Sequence, residues 1–178
     1  FIPQAPRSSK AKIEIIKGTS IRYITLDDAT GLRSRAGNAV VRQGKTILSG
    51  DIIGLNSRTQ IAEGYGRVHI NDADTVNTYA QYLRYLGKER IAYLKRGVKL
   101  TDGKGTLLTD DLVYDLNSGV ATYTGGGKVI NGTSVLTSSD AVYYSNTKDV
   151  YFKKYVTLND PKYDIKAESL MYNTLLKV

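Results

Sequence analysis

The sequence predicts an all-β protein built from stacked copies of one small unit, and three observations predict it. Tyr occurs 14 times and Gly 17 times, against 3 Pro and no Trp; Tyr, Val, Ile and Thr suit pleated, half-buried surfaces, while Gly supplies turns. Apolar and polar residues alternate with a period of two in short runs, and no amphipathic window of about three helical turns interrupts them. The runs also recur at a nearly constant spacing, which is the mark of a repeat architecture.

Taken in chain order, residues 1–12 read as a flexible N-terminal segment, with Pro3 and Pro6 among polar neighbours. Residues 13–178 read as a single domain. Its first unit, from about Ile13 to Gln43, is degenerate, with strands at Ile13-Glu14-Ile15-Ile16 and Ile21-Arg22-Tyr23-Ile24. Regular units follow, each opened by a marker strand: Gly66-Arg67-Val68-His69-Ile70, Gly97-Val98-Lys99-Leu100, Gly127-Lys128-Val129-Ile130 and Tyr155-Val156-Thr157-Leu158. The marker valines are 30, 31 and 27 residues apart. A second strand comes after a polar turn, at Gly50-Asp51-Ile52-Ile53, Ala80-Gln81-Tyr82-Leu83, Asp110-Asp111-Leu112-Val113-Tyr114, Ser139-Asp140-Ala141-Val142-Tyr143 and Glu168-Ser169-Leu170-Met171-Tyr172. A third closes the unit, at Ile61-Ala62-Glu63-Gly64, Ile91-Ala92-Tyr93-Leu94, Val120-Ala121-Thr122-Tyr123 and Val150-Tyr151-Phe152-Lys153. Register varies by one residue between copies, which points to bulges. The last copy stops at Val178 before its next marker strand, so the chain is expected to continue.

One unit of this size cannot bury its own apolar face, but stacked units share a continuous interior. Alternation in the marker strands places Val68, Ile70, Val98, Leu100, Val156 and Leu158 inward, with His69, Lys99 and Thr157 outward. The second strand is apolar on both parities (Leu112 and Val113, Ile52 and Ile53), and its facing is not readable.

Composition removes several chemistries. Without Cys there are no disulfides, thiolate metal sites or cysteine nucleophiles, and one histidine, His69, makes histidine metal sites and Ser-His triads hard to build. Lys plus Arg exceed Asp plus Glu by 25 − 17 = 8, which favours an anionic partner: nucleic acid, phosphorylated lipid or acidic glycan. No run approaches the roughly 18 apolar residues of a membrane helix. The N-terminus has neither an initiating Met nor an apolar signal core, and reads as a matured or excised chain.

Single motifs read as structural. His69 reads as a solvated strand residue and Asn71-Asp72-Ala73-Asp74 as a β-turn, lacking the Gly and terminal Glu of a calcium loop. Asp110-Asp111 could pair for acid–base work on a glycan, but equivalent positions elsewhere hold Gly50, Asp51, Ser139 and Asp140, so a repeated polar cap is preferred. Gly125-Gly126-Gly127-Lys128 lacks the spacing and following helix of a phosphate loop and reads as a turn or bulge. The basic groups Lys88, Arg90, Lys95, Arg96 and Lys99, then Lys153, Lys154 and Lys162, and earlier Arg33 and Arg35, lie near tyrosines and would suit a single-strand nucleic-acid platform. Solvated faces and guarded edges are preferred, with contact to phosphorylated lipid next and no nucleic-acid partner expected.

The run Leu108-Thr109-Asp110-Asp111-Leu112-Val113-Tyr114-Asp115, then Val120-Ala121-Thr122-Tyr123-Thr124-Gly125-Gly126-Gly127-Lys128-Val129, resembles the OstA-like family. These are LptA-like bacterial periplasmic lipopolysaccharide-transport proteins. The next unit, from Leu136-Thr137-Ser138 to Phe152-Lys153-Lys154, is similar to the following unit of such chains, and the resemblance extends over Ile13 to Val178. It implies a twisted β-jellyroll, an open two-layer stack of short antiparallel strands whose sheets diverge to leave an apolar groove for lipid A acyl chains. The lining residues would be Val68, Ile70, Val98, Leu100, Leu112, Tyr114, Val129, Val156 and Leu158, with Arg96, Lys99 and Lys128 toward phosphates and sugars. It further implies a non-enzymatic periplasmic conduit without cofactor or metal, whose partners are lipopolysaccharide, other OstA-like domains and further copies joined head to tail. The alternatives are a structural or glycan-binding β-solenoid of the cell envelope and, ranked lower, a polysaccharide-processing enzyme on a parallel β-helix.

Overall fold

The computed structural model describes residues 11–25 and 32–178, and for residues 21–25 and 32–37 the backbone alone. Of the segment 1–12, only Ala11 and Lys12 fall within it, and the side chains of Arg33 and Arg35 lie outside the described residues. Among the described residues, twelve strands form one antiparallel sheet: β1 Glu14–Lys17, β2 Ser20–Thr25, β3 Leu32–Gln43, β4 Thr46–Asn56, β5 Ile61–Asp72, β6 Val76–Leu86, β7 Ile91–Thr101, β8 Thr106–Asp115, β9 Val120–Asn131, β10 Ser134–Tyr144, β11 Asp149–Asp160 and β12 Tyr163–Asn173. From β3 onward each strand pairs with the next in sequence, while β1 and β2 both pair with β3. The all-β, repeat-built jellyroll is as the sequence predicts.

The runs that read as separate short strands are halves of longer ones. Ile61–Gly64 and Gly66–Ile70 are both β5, and β7, β9 and β11 join a third run to the next marker in the same way. A repeat is therefore one hairpin of two bent strands. The joint is a β-bulge, where pairing registers shift at Tyr65/Val68, Lys95/Val98 and Lys153/Val156. Two successive residues there take positive φ: Gly66 and Arg67, Arg96 and Gly97, Gly125 and Gly126, Lys154 and Tyr155. At Gly66, with φ +69°, a Cβ would sit 2.5 Å from Asp51 Oδ2, so a larger residue there would have to displace the Asp51 side chain.

The bulge bends each strand so that its two halves lie in opposite layers around one core. It also explains why the second strands resisted reading. In β6, β8 and β10 the inward residues flanking the corner are three apart (Ala80 and Leu83, Thr109 and Leu112, Ser138 and Ala141), which reverses parity. In β7 and β11 they are four apart (Leu94 and Val98, Phe152 and Val156) because the bulged strand carries the extra residue. Leu112 is thus buried, and Val113 faces out, 40% exposed.

Corner carboxylates answer corner cations and amides. Asp51 accepts from Arg67, Asp111 pairs with Lys95, Asp140 with Lys154, and Asp110 Oδ1 accepts from Gly97 N–H at 3.3 Å. The Asp110-Asp111 pair and the Gly125–Gly127 run are therefore corner devices.

Candidate functional site

All nine residues expected to line the interior point into it and are at most 4% exposed. Larger rings fill the space between them: Tyr85, Tyr123 and Phe152 are fully buried, and Tyr123 shares a 2.8 Å hydrogen bond with Ser138 Oγ. Gly127 is where it is because a Cβ would fall within 3 Å of the Tyr123 ring. With the lining this dry, no standing channel runs past these residues. The groove expected between diverging sheets is closed, because side chains from the two layers meet where the strand ends converge.

That meeting line is a seam which sequence reading missed. On one side stand the hairpin tips β3/β4, β5/β6, β7/β8 and β9/β10, offering Gln43, Asp72, Asp102 and Asn131. On the other stand the turns that end β6, β8, β10 and β12, preceded by Tyr85, Tyr114, Tyr143 and Tyr172, each 29 residues after the last. Tyr85 donates to Gln43 Oε1 at 2.5 Å, Tyr114 to Asp72 Oδ2 at 3.2 Å, and Tyr143 to Asp102 Oδ2. Asn131 Nδ2 donates to the Tyr172 oxygen at 3.4 Å and to Thr174 O at 2.7 Å. The tyrosine period was visible in the sequence, but its partners are of three residue types and lie 41 or 42 residues away.

Two cations reinforce the middle of the seam. Arg90 Nη2 donates to Thr46 Oγ1 at 2.9 Å and lies 3.8 Å from Asp72 Oδ1, while Arg90 Nε is buried without a partner. Lys148 Nζ is 2.9 Å from Asp102 Oδ2. Burial opposes ionisation of Asp102, yet hydrogen bonds from Lys148, Tyr143 and the N–H groups of Lys104 and Gly105 outweigh it and hold its carboxyl at about 2. Burial pushes the Tyr85 phenol up to about 12; burial with neighbouring carboxylates pushes Tyr114 and Tyr143 up as well. All these phenols stay protonated donors. Beside Asp102 and Tyr143 lies a half-open pocket of about 10 Å³, lined by Leu100, Leu107, Val129 and Val150 on the core side and by Gly105, Thr106 and Thr174 at the seam.

The turns are tied to one another by backbone bonds: Gly87 N–H to Gln60 O, Leu116 N–H to Arg90 O, Ser145 N–H to Gly119 O and Thr174 N–H to Lys148 O, all 2.8–2.9 Å. Among the described residues, no backbone–backbone bond crosses from tips to turns.

Of the basic residues singled out earlier, Arg90 is in the seam, while those expected to meet phosphates and sugars lie elsewhere. Lys99 and Lys128 are exposed on the outer face, flanking Leu108 in one cross-strand row, and Arg96 is at a corner. They do not converge with the interior. His69 stacks on Tyr79 (centroids 4.5 Å apart) and its Nε2 meets Asn77 Oδ1 at 2.8 Å. Of Asn71–Asp74, read as a β-turn, Asn71 and Asp72 end β5, and Ala73 and Asp74, both at positive φ, open the β5/β6 turn.

Compared with known proteins, the chain matches the family of OstA-like proteins over residues 10–168. No curated protein matches it. Among solved structures it is similar to the crystal structure of LptH from Pseudomonas aeruginosa, the LptA homologous periplasmic component of the conserved lipopolysaccharide transport device. The TM-score is 0.53 at 20% identity, over 62% of this chain and 80% of that one, a likeness of fold.

Proposed function

The chain belongs to the OstA-like family, and from that premise we propose that it serves lipopolysaccharide transport in the periplasm of a Gram-negative bacterium. Its part is that of a non-enzymatic conduit whose interior shelters lipid A acyl chains. The observation that carries this reading is the predominantly apolar interior, to which every strand from β4 to β11 contributes. Exposing a twelve-carbon chain to water costs on the order of 10 kcal/mol, at about 0.8 kcal/mol per CH₂. A carrier between membranes needs an interior that matches hydrocarbon, with directionality supplied by partners.

The ends of the stack support assembly. At the last rung the inward-facing Ile165 is 39% exposed and Leu170 only partly covered, and the outer edge of β12 pairs with no described strand. An unpaired edge over an apolar end favours continuation by another OstA-like domain or a second copy through β-augmentation, head to tail. Light scattering across concentrations tests this: growth of oligomers supports it, and a strict monomer at high concentration refutes it.

The dry, filled interior favours a second reading, a structural or glycan-binding β module of the envelope. Purification from Gram-negative membranes without harsh detergent, followed by lipid mass spectrometry, separates the two. Co-purifying lipopolysaccharide supports the conduit, and a lipid-free protein supports the structural module.

A further inference from the structure

We propose that the outer face of one layer, the one whose strand halves end in the turns, is an interface between two copies of this chain. The copies pair face to face about a twofold axis that runs along the strands, between β8 and β9. This goes beyond the conduit reading and does not depend on it. On that face, cross-strand pairing aligns one row over six strands: Arg84, Tyr93, Val113, Thr122, Val142 and Tyr151. Apart from Arg84 the row is uncharged, and Tyr93 and Val113 are 38% and 40% exposed. The next row toward the turns adds Leu86, Ile91 and Val120, each partly exposed, and Tyr144, 40% exposed. A contiguous apolar patch on an outer face marks a contact surface. Six strands about 4.8 Å apart and three rows about 7 Å apart make a face of about 600 Å². A pair then buries about 1,200 Å², enough for a specific contact.

Charge selects the occupant. Asp111, Asp115, Asp140 and Asp149 flank the central row, which opposes an anionic lipid surface or a nucleic acid. A second copy suits them. Turned about the axis along the strands, β8 meets β9, β7 meets β10 and β6 meets β11. Tyr93 then lies on Val142 of the other copy, Lys95 reaches Asp140, and Arg84 lands on the Tyr151 ring beside Asp149. Among the described residues of these six strands, no like charges meet across the three rows. Turned instead about the axis across the strands, each strand meets itself, so Arg84 faces Arg84 and Asp111 faces Asp115. Charge therefore fixes the register as well as the partner. Lys95 and Asp111, 3.5 Å apart, form an exposed pair, which leaves Lys95 able to take a second carboxylate. Packed sheets keep their strands within about 30° of each other, so contact is closest over β7–β10. Such a pair is isologous and stops at two, unlike growth from the stack ends.

The chain has no Cys, so single cysteines report the contact. Two variants, Tyr93→Cys and Val142→Cys, one of them carrying a mass tag, are mixed and oxidised. Within one chain these positions are three strands, about 14 Å, apart, beyond the reach of a disulfide, and the axis keeps each as far from its own counterpart. The expected result is a disulfide-linked mixed pair in at least fivefold excess over the linked product of either variant alone. Equal yields from the mixture and the single variants, self-linking of Tyr93→Cys, or no linkage would overturn the proposal. Val113→Glu places a charge beside the axis at an outward position. In sedimentation velocity it is expected to weaken the wild-type dimer at least tenfold with an unchanged circular dichroism spectrum. An unaffected dimer, or a wild type that stays monomeric, would also overturn the proposal. Neither assay contains lipid, so the conduit reading stands or falls separately, on co-purification.

Discussion

Asp102 offers a quantitative handle on the seam. Its carboxyl sits at about 2 rather than the ordinary 3.8. A depressed folded value means the stabilisation is fully present above pH 3.8 and is lost as pH falls toward 2. A gap of 3.8 − 2 ≈ 1.8 units corresponds to about 2 kcal/mol, since each unit is about 1.4 kcal/mol. Wild type and Asp102→Asn would be unfolded with urea at pH 5 and pH 2. Asp115, Asp149 and Asp160 are also depressed, so both proteins lose stability on acidification, but the shared part cancels in the difference. Wild type is expected to lose about 2 kcal/mol more than the variant over this interval. Equal losses would refute the reasoning that Lys148, Tyr143 and the two amides act through the Asp102 charge.

Three further outcomes test the fold. Phe152→Ala removes a fully buried ring and is expected to cost about 3–5 kcal/mol in urea unfolding. At the corners, Gly66→Ala should destabilise by at least about 1–2 kcal/mol, the intrinsic penalty of that backbone region, whereas Tyr155→Gly, at φ +53° and 79% exposed, should be neutral or stabilising by about 0.5–1 kcal/mol. Thr78 is fully buried with an unpartnered hydroxyl, so Thr78→Val is expected to raise stability by about 1 kcal/mol in the same assay.

The repeat and the facing of the marker strands were legible because period-two alternation depends only on local backbone geometry. Val68, Val98 and Val156 are buried while His69, Lys99 and Thr157 face outward. The second strands were illegible because the corner between Thr109 and Leu112 reverses parity in mid-strand. Nothing in those residues marks the reversal; the signal is on the neighbouring strand, in the bulges at Arg96-Gly97 and Gly125-Gly126. The same bulges join runs that look separate. The seam was hidden for another reason. Tyr114 in β8 and Asp72 at the end of β5 are three strands apart, and neither residue alone differs from an ordinary strand tyrosine or strand-end aspartate. The open groove came from the resemblance and not from the residues, and the filled interior around Phe152 and Tyr123 departs from it.

The central claim is that the inside of this jellyroll receives acyl chains. Photo-crosslinking amino acids at Val98, Leu100, Leu112 and Tyr114, with outward Lys99 as the control, test it most directly in living Gram-negative cells. Capture of lipopolysaccharide at the four inward positions and none at Lys99 is the predicted result. Capture confined to Lys99, or at no position in a folded protein, would contradict it.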